Sequence, residues 1–363
     1  MLANRLKGVL PLLIDSQQSA FVKGRDIIDN VRLIEEILLY TDENTLPGIL
    51  LTIDFEKAFD CVEWDYMMKC LSTYNFGTNF QKWISTFYTD LKSCVMTNGY
   101  STGYFPITRG VRKGDPLSPY LFILALEIFL INMNSNKSIK GIKIDTLEVK
   151  YAAFADDLSC FASDEQSVKY IFAMLRDFHL VSGLQINKEK TEALWLGNWK
   201  KREKKPFRIK WPQQPIKITG VFISYNTDLN TTLNFANPLK QIQNNLKIWK
   251  SRSLTLIGKI VILKTFVLSQ INYVLRMVST TNDILHKVEQ IVFDFLWKGK
   301  DKIARKVMVR EISEGGMNAP DIKITHKMMR INFIKRYLND DVIHPWKTFF
   351  DHRLSNFWGQ VPI

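Results

Sequence analysis

The stretch YAAFADDLSC (residues 151–160) places two adjacent carboxylates, Asp156 and Asp157, among apolar and small residues. Aspartate is common in β-turns because its side chain hydrogen-bonds nearby backbone groups, so a surface turn is the simplest interpretation of this stretch alone. The longer segment LEVKYAAFADDLSCFAS (147–163) predicts two short strands joined at the Asp pair. The choice between a turn and a functional site therefore depends on the rest of the chain.

The composition indicates a folded chain with a polyanionic partner. Of 363 residues, 46% are hydrophobic, which is enough for packed cores, and 49 Lys plus Arg against 36 Asp plus Glu give a net charge of +13. Such a balance favours nucleic acid or an anionic membrane surface. The four cysteines have neither C-x-x-C nor Cys/His spacing, which is typical of a reduced intracellular chain without a zinc site.

The most apolar run, YLFILALEIFLI (120–131), is too short to span a bilayer and contains Glu127, so we expect a buried core helix and no membrane partner. The run NWKKREKKPFRIKW (198–211) is a solvated loop or, alternatively, a nucleic-acid contact. After about residue 226 helical periodicity dominates, with Lys259, Lys264 and Lys298 off the apolar faces. The pattern predicts an α+β region followed by a basic helical bundle.

A third acidic position lies at the end of a predicted strand. In GILLTIDFEKAFDCVEWDYMMKCL (48–71), Ile49 to Ile53 form a buried-strand run that ends at Asp54. A sheet could bring Asp54 beside Asp156 and Asp157, and Mg²⁺ prefers such oxygen ligands together with substrate phosphates. Two such ions would support phosphoryl transfer.

Six segments occur in an order that resembles the successive motifs of a reverse transcriptase of the non-LTR (LINE-type) retrotransposon family. They are QQSAFVKGRDIIDN (17–30), LLTIDFEKAFDCVEW (50–64), RGVRKGDPLSP (109–119), FADD (154–157), GLQINKEKT (183–191) and KITGVFIS (217–224). The similarity extends through FLWKGK (295–300) and GGMNAPDI (315–322). It implies an α+β right-hand polymerase: fingers and palm with an antiparallel palm sheet over 1–225, an all-α thumb over 226–300 and a partial C-terminal helical extension over 301–363.

The resemblance also implies the catalytic residues. Asp54 and Asp156 would be the main ligands of two Mg²⁺ ions, with Mn²⁺ as an alternative, while Asp157 assists and the backbone of Phe55 adds an oxygen. Phe59 would lie under the incoming sugar and exclude a 2′ hydroxyl, which distinguishes the family from RNA-dependent RNA polymerases. Packing at a helix start is the alternative role for Phe59.

The resemblance implies further nucleotide contacts. Gly114 matches a backbone position close to the nascent base pair, and Lys113 beside it replaces the family's usual Gln. Lys190 matches a lysine that neutralises the departing pyrophosphate, or is a surface charge. Arg25 resembles a template or nucleotide contact. Thr219 replaces a Leu in the turn that grips the primer.

The expected function is therefore RNA-directed DNA polymerisation, in which a primer 3′ hydroxyl attacks a deoxynucleotide. Its partners would be an RNA template, a DNA primer, dNTPs and other proteins or domains of the element, in the nucleus, the cytoplasm or both. The upstream fingers segment, an endonuclease domain and a Cys/His knuckle are expected to be missing. The alternative is a decayed retrotransposon-derived protein that binds nucleic acid without catalysis.

Overall fold

The computed structural model describes residues 1–212, 215–297 and 299–358. The chain divides into two compact units, the first formed by Met1–Gln213 with Ile343–Ile363 and the second by Gln214–Val342. Lys298 lies outside the described residues.

The helices of the first unit are α1 Leu2–Leu13, α2 Ile27–Glu43, α3 Ala58–Cys61, α4 Trp64–Thr73, α5 Thr78–Phe87, α6 Ser118–Ser135, α7 Glu165–Ser182 and, from the C-terminal part, α14 Trp346–Trp358. Its strands are β1 Gly48–Ile53, β2 Lys92–Ser93, β3 Met96–Thr97, β4 Tyr100–Ser101, β5 Phe105–Pro106, β6 Ile142–Ile144, β7 Leu147–Val149, β8 Tyr151–Phe154, β9 Asp157–Ala162 and β10 Glu192–Leu196. A 3₁₀ turn, Gly197–Trp199, follows β10.

A four-stranded antiparallel sheet with the order β10-β1-β9-β8 forms the centre of this unit. The strand β1 pairs on both edges, with Ile49 opposite Trp195 on one side and opposite Ala162 on the other. Its sequence GILLTI is nearly continuous in apolar residues because helices cover both faces of a central strand. The predicted strand before Asp54 and the predicted hairpin around Asp156 are both confirmed.

The apolar run 120–131 lies within α6, which is buried along most of its length. Two stretches, Ser118–Ser135 and Leu256–Met277, are long and apolar enough to cross a membrane by length and composition alone, which is weak evidence for a membrane span. In α6, 61% of that window is buried inside the protein, as the prediction of a core helix requires.

Glu127 is a carboxyl buried in the middle of α6, with 0% of its surface exposed. Its Oε1 accepts a hydrogen bond from the backbone N–H of Asp15 at 2.8 Å. Burial, and to a lesser degree the charge of Asp15, raises the pKa of Glu127 to about 7 from an ordinary value of 4.5, although that N–H and Arg25 act in the opposite direction. The carboxyl of Glu127 therefore titrates near neutral pH in the folded protein.

We expect Glu127→Gln to flatten the pH dependence of stability. Because the folded-state pKa is raised, the folded protein binds this proton more tightly than the unfolded chain, so stability is highest below about pH 4.5 and falls as pH rises to 7. Gln keeps the hydrogen-bond acceptor but cannot ionise. Between pH 4.5 and pH 7, the free energy of unfolding of the wild type should therefore fall by roughly 3 kcal/mol more than that of the variant. Thermal unfolding from pH 4.5 to 8 measures the difference. The exposed Glu203→Gln should follow the wild type, and parallel curves for wild type and Glu127→Gln would contradict the assignment.

The C-terminal helix α14 packs on α2 within the first unit. The indole N–H of Trp346 donates to Asp29 at 3.1 Å, and Arg353 forms an ion pair of 2.6 Å with the buried Glu36. The ring of Phe349 contacts Tyr40 edge-on at 5.2 Å. The last part of the predicted extension over 301–363 therefore belongs structurally with the N-terminal unit, because these buried contacts hold it there.

The second unit contains β11 Ile216–Ile218, β12 Val221–Ile223, α8 Thr227–Lys250, α9 Leu256–Ile262, α10 Ser269–Met277, α11 Asn282–Trp297, α12 Arg305–Met308 and α13 Ile322–Tyr337. A π-helical stretch, Leu263–Leu268, connects α9 to α10. The hairpin β11–β12 turns at Thr219, and Asn234 of α8 accepts from the backbone N–H of Phe222 at 2.8 Å. This packing groups the hairpin with the helices, whereas the sequence prediction placed it before a boundary at 225. The predicted assignment of these regions to fingers, palm and thumb stays a prediction.

Several charges of the basic run 198–211 have partners within the first unit. Arg202 and Lys204 pair with Glu165 at 3.2 and 2.8 Å, and Lys200 pairs with Asp42. The Arg202 guanidinium also lies 3.6 Å from the centroid of the Trp199 ring. These contacts give the loop a defined structure, and the alternative of a nucleic-acid contact stays open.

Candidate active site

The Asp pair lies at a two-residue hairpin turn between β8 and β9. Phe154 pairs with Asp157, so Ala155 and Asp156 form the turn, with Ala155 at φ +53°. On the other edge of β9, Leu158 pairs with Ile53, the last residue of β1. Asp54 and Asp157 are the next residues beyond that pair. The sheet register therefore brings the three predicted carboxylates to one end of two neighbouring strands.

The electrostatics of Asp157 agree with this proximity. The pKa of Asp157 is raised to about 6 from an ordinary 3.8. Desolvation by burial is the largest cause, and the charges of Asp156 and then Asp54 act in the same direction. The side chain itself keeps access to solvent, so the repulsion is partly screened. The three carboxylates thus form a region of converging negative charge.

A segment near the N-terminus supports the turn from the opposite side. The buried Gln18 accepts with its Oε1 from the backbone N–H groups of Ala155 and Ala20, both at 3.0 Å. The flanking backbone also pairs with Ala153, which donates to Gln17 and accepts from Ser19 at 2.9 Å each. Sequence reasoning gave Gln18 no role, although its place in QQSAF was the available signal.

The loop that carries Lys190 is hydrogen-bonded to the segment of Asp54. The carbonyl of Asp54 accepts from the N–H of Asn187 at 2.7 Å, and Glu56 donates to Gln185 at 2.8 Å. The side chain of Lys190 is exposed on this loop. A cation and the carboxylate cluster are therefore linked by a short stretch of backbone, which the sequence alone did not reveal.

The two aromatic residues after Asp54 lie in different surroundings. Phe55 is buried, and its backbone forms an isolated antiparallel bridge with Ile186. Phe59 is half-buried in α3 and stacks on Phe122 with ring centroids 4.5 Å apart and planes at 14°. Its carbonyl accepts from Val111 at 2.7 Å. The packing role foreseen as an alternative is thus present, and one part of the ring remains accessible.

Lys113 and Gly114 lie on the loop beside α3. Lys113 forms an exposed ion pair of 2.9 Å with Asp60, the neighbour of Phe59. Gly114 adopts φ +91°, where L side chains are strained, and nothing lies within 4 Å of a Cβ at this position. The space beside Gly114 is therefore open to a ligand, in keeping with the predicted approach of a base pair.

Arg25 is bonded within the N-terminal segment. The sequence resemblance made it a template or nucleotide contact, but its guanidinium donates to the backbone carbonyls of Ile14 and Gln18, each at 2.6 Å, and to that of Asp15. These carbonyls lie in the segment that leads to the turn-supporting Gln18. Three of the five N–H donors of Arg25 thus fasten the N-terminal segment, and the predicted template or nucleotide contact stays a prediction.

The carboxylate cluster suits a hard cation in its chemistry, since Asp54, Asp156 and Asp157 supply the oxygen donors that Mg²⁺ prefers. Within the described parts of the chain, no three His, Cys, Asp or Glu side chains are arranged as a ready metal site. The donor set fits, and the two-ion prediction stays a prediction.

Comparison with known families matches residues 1–223 to the reverse transcriptase (RNA-dependent DNA polymerase) family. The chain is 32% identical over 361 residues to the Transposon TX1 uncharacterized 149 kDa protein of Xenopus laevis, covering 98% of this chain and 27% of that protein. It is 23% identical over 327 residues to the Retrovirus-related Pol polyprotein from type-2 retrotransposable element R2DM of Drosophila melanogaster, covering 87% and 31%. The chain thus spans less than a third of the length of these two relatives.

Among solved structures, a telomerase from Candida albicans, determined in complex with a fragment of telomeric RNA, aligns with a TM-score of 0.50 at 14% identity. The alignment covers 100% of this chain and 57% of that one, and at this identity it supports the fold alone. The mixed helix and antiparallel-sheet architecture agrees with a polymerase fold. Together with the carboxylate cluster at the strand ends and the family match over 1–223, these findings show that the chain belongs to the reverse transcriptase family, with relatives among non-LTR retrotransposon proteins.

Proposed function

We propose that this chain is an RNA-directed DNA polymerase that extends a DNA primer on an RNA template. In this proposal the β10-β1-β9-β8 sheet is the palm, and the helical part of the second unit supplies the thumb. The observation that carries it is the pairing of Ile53 with Leu158, which sets Asp54 beside Asp157 at the hairpin turn of Asp156.

Each side chain has a distinct task in this mechanism. Asp54 and Asp156 would hold two Mg²⁺ ions, with Mn²⁺ as an alternative, and Asp157 would add negative charge beside them. Bound ions of this kind activate the attacking 3′ hydroxyl and stabilise the leaving pyrophosphate. Lys190, on the loop bonded to Asp54, would contribute positive charge toward the pyrophosphate. Phe59 would lie against the sugar, and Gly114 would leave room for the base pair.

The partners follow from this chemistry. The net charge of +13 suits a nucleic-acid duplex and its single-stranded template. We expect dNTPs as substrates, action in the nucleus or cytoplasm, and cooperation with other domains of the element. A protein that retains only nucleic-acid binding is the competing possibility, and catalysis separates the two.

A primer-extension assay tests the proposal directly. The purified chain, an RNA template annealed to a DNA primer, dNTPs and Mg²⁺ should give primer extension that EDTA abolishes. The same RNA template without primer is the control, and it shows whether nucleotides are added without a primer. Tight binding of the primer–template with no extension in Mg²⁺ or Mn²⁺ would assign the chain to the decayed, binding-only class.

We expect Phe59→Val to admit ribonucleotides. The smaller side chain vacates space beside the sugar while remaining apolar toward Phe122, so incorporation of rNTPs relative to dNTPs should rise by roughly tenfold to a hundredfold, the scale of a single steric clash of about 1 to 3 kcal/mol. Single-nucleotide extension with each dNTP and rNTP measures this ratio. Phe76→Val serves as the control, because it makes the same substitution at an aromatic residue in the loop after α4. An unchanged ratio in Phe59→Val would leave Phe59 with its packing role only.

A further inference from the structure

The segment between α5 and the loop of Lys113 is a β-hairpin built on local sequence signals. Strand β2 pairs with β5, and β3 pairs with β4, so residues 92–106 form one antiparallel ribbon. Asn98 and Gly99 lie at its tip with φ +52° and +84°, the conformation that an Asn-Gly type I′ turn adopts. The ribbon therefore has a defined shape.

This ribbon exposes large apolar side chains. Tyr100 is 83% exposed, Tyr104 is 75% exposed and Phe105 is 42% exposed, and Met96 beside them is exposed as well. A two-stranded hairpin is marginal in water without a packed face, and contiguous exposed apolar residues mark interaction sites. We call this set, Met96, Tyr100, Tyr104 and Phe105, the aromatic ribbon.

A basic groove of about 630 Å³ lies at the base of the ribbon. Its charged lining residues are the four cations Lys92, Arg109, Arg112 and Lys113 and the single carboxylate Asp60. Arg109 lies 3.6 Å from Glu63 and Lys113 lies 2.9 Å from Asp60, in exposed pairs that are worth little in water. The groove thus carries an excess of positive charge that a phosphate backbone can use.

The groove borders residues of the candidate active site, since Asp60 and Lys113, which line it, are the sequence neighbours of Phe59 and Gly114. Val111, which lines it, donates to the carbonyl of Phe59 at 2.7 Å, and Gly110 donates to Val62 at 2.8 Å. Both acceptors flank or belong to the short helix that follows Asp54. The groove therefore adjoins Phe59 and Gly114 through these residues and adjoins the ribbon through Lys92 and Ser93 of β2.

We infer that the basic groove and the aromatic ribbon bind a single-stranded polynucleotide, the unpaired template next to the polymerising site. Cations that follow the phosphates combined with exposed aromatic rings on which bases stack are the two elements of sequence-tolerant single-strand binding. The inference rests on the proposed function for the identity of the strand, and on the exposed rings and cations for its chemistry. Bases can stack on the rings only when unpaired, so a duplex does not use this surface in the same way.

The first experiment measures binding of a fluorescein-labelled single-stranded RNA of about 20 nucleotides, long enough to cover such a site, by fluorescence anisotropy with the full chain. Tyr100→Ala/Tyr104→Ala should weaken binding by roughly a hundredfold or more, since stacking on each of the two rings strengthens binding by roughly tenfold to a hundredfold. Binding of a blunt RNA–DNA duplex should change less than threefold. Tyr170→Ala, an exposed ring on α7, is the control and should bind like the wild type.

The second experiment separates phosphate contacts from stacking. Lys92→Gln/Arg109→Gln should lower the slope of log affinity against log salt by about 1.4, or 0.7 for each phosphate of a single strand that the variant no longer neutralises. The tyrosine variant should keep the wild-type slope. Lys7→Gln/Lys137→Gln, with exposed lysines elsewhere, should also keep it. Repeating the series with DNA of the same sequence shows whether the surface discriminates between the two sugars.

The inference is overturned if the tyrosine variant binds single strands like the wild type, or loses duplex binding to the same extent. In the first case the ribbon does not bind single strands, and in the second it does not distinguish single strands from a duplex. Binding is measured without catalysis, so these results are independent of primer extension. A chain that extends primers but binds single strands without the ribbon disproves only this inference, whereas a chain with the expected binding changes and no extension disproves only the proposed activity.

Discussion

Replacing Asp54 or Asp156 by Asn is expected to reduce primer extension by roughly a thousandfold or more. The amide keeps the size of the side chain but removes a charge that holds a metal ion, and even groups behind a metal ligand contribute tenfold to a hundredfold. Single-turnover extension on a preformed primer–template measures the loss. Removing a carboxylate reduces its repulsion of the phosphates and gives no reason for weaker binding. The affinity for the primer–template should therefore stay within about threefold of the wild type.

The control for this pair is Asp65→Asn, an exposed carboxylate in the first turn of α4. It should extend primers like the wild type. Asp157→Asn should have a smaller effect than Asp54→Asn, since Asp157 is assigned an assisting role. Extension at near wild-type rate by Asp54→Asn or Asp156→Asn would remove that residue from metal binding, and with it the proposed mechanism.

Gly197→Ala is expected to destabilise the first unit by roughly 2 to 5 kcal/mol. Gly197 follows β10 with φ +53°, and a Cβ there would lie 1.9 Å from the carbonyl oxygen of Leu46 and 2.6 Å from that of Thr41. Both neighbours are backbone atoms that cannot rotate away. The strain of left-handed backbone, about 1 to 2 kcal/mol, adds to an overpacking cost of about 1 to 3 kcal/mol.

Thermal unfolding checks this prediction, and the expected decrease in Tm is roughly 10 °C. Gly99→Ala is the matched control, because it has the same sign of φ, +84°, with nothing within 4 Å of the added Cβ. Gly99→Ala should be destabilised only by the backbone strain. Equal losses in the two variants would show that the contact with the Thr41–Leu46 turn relaxes at little cost.

The sequence by itself determined the elements whose signals are local. The apolar run Ile49 to Ile53 predicted β1, and the two short strands joined at the Asp pair within 147–163 predicted the β8–β9 hairpin, because a buried strand and a tight turn each depend on a few neighbouring residues. The ordered motifs then identified the family and placed Asp54, Asp156 and Asp157 in one site. The packing of Phe59 on Phe122, the alternative given for this residue, is confirmed, and its contact with the sugar stays a prediction.

Contacts between residues distant in sequence were decided only by the tertiary structure. The side chain of Gln18 accepts from the turn at Ala155, 137 residues away, and the guanidinium of Arg25 is used by three backbone carbonyls, which no local pattern reveals. In the same way α14 packs on α2, 317 residues earlier, through Trp346 and Asp29. The same holds for the raised pKa of Asp157, which arises from burial first, then from the charge of Asp156, and then from that of Asp54, which strand pairing brings beside it. Desolvation and Coulomb repulsion depend on distances that exist only once the chain has folded.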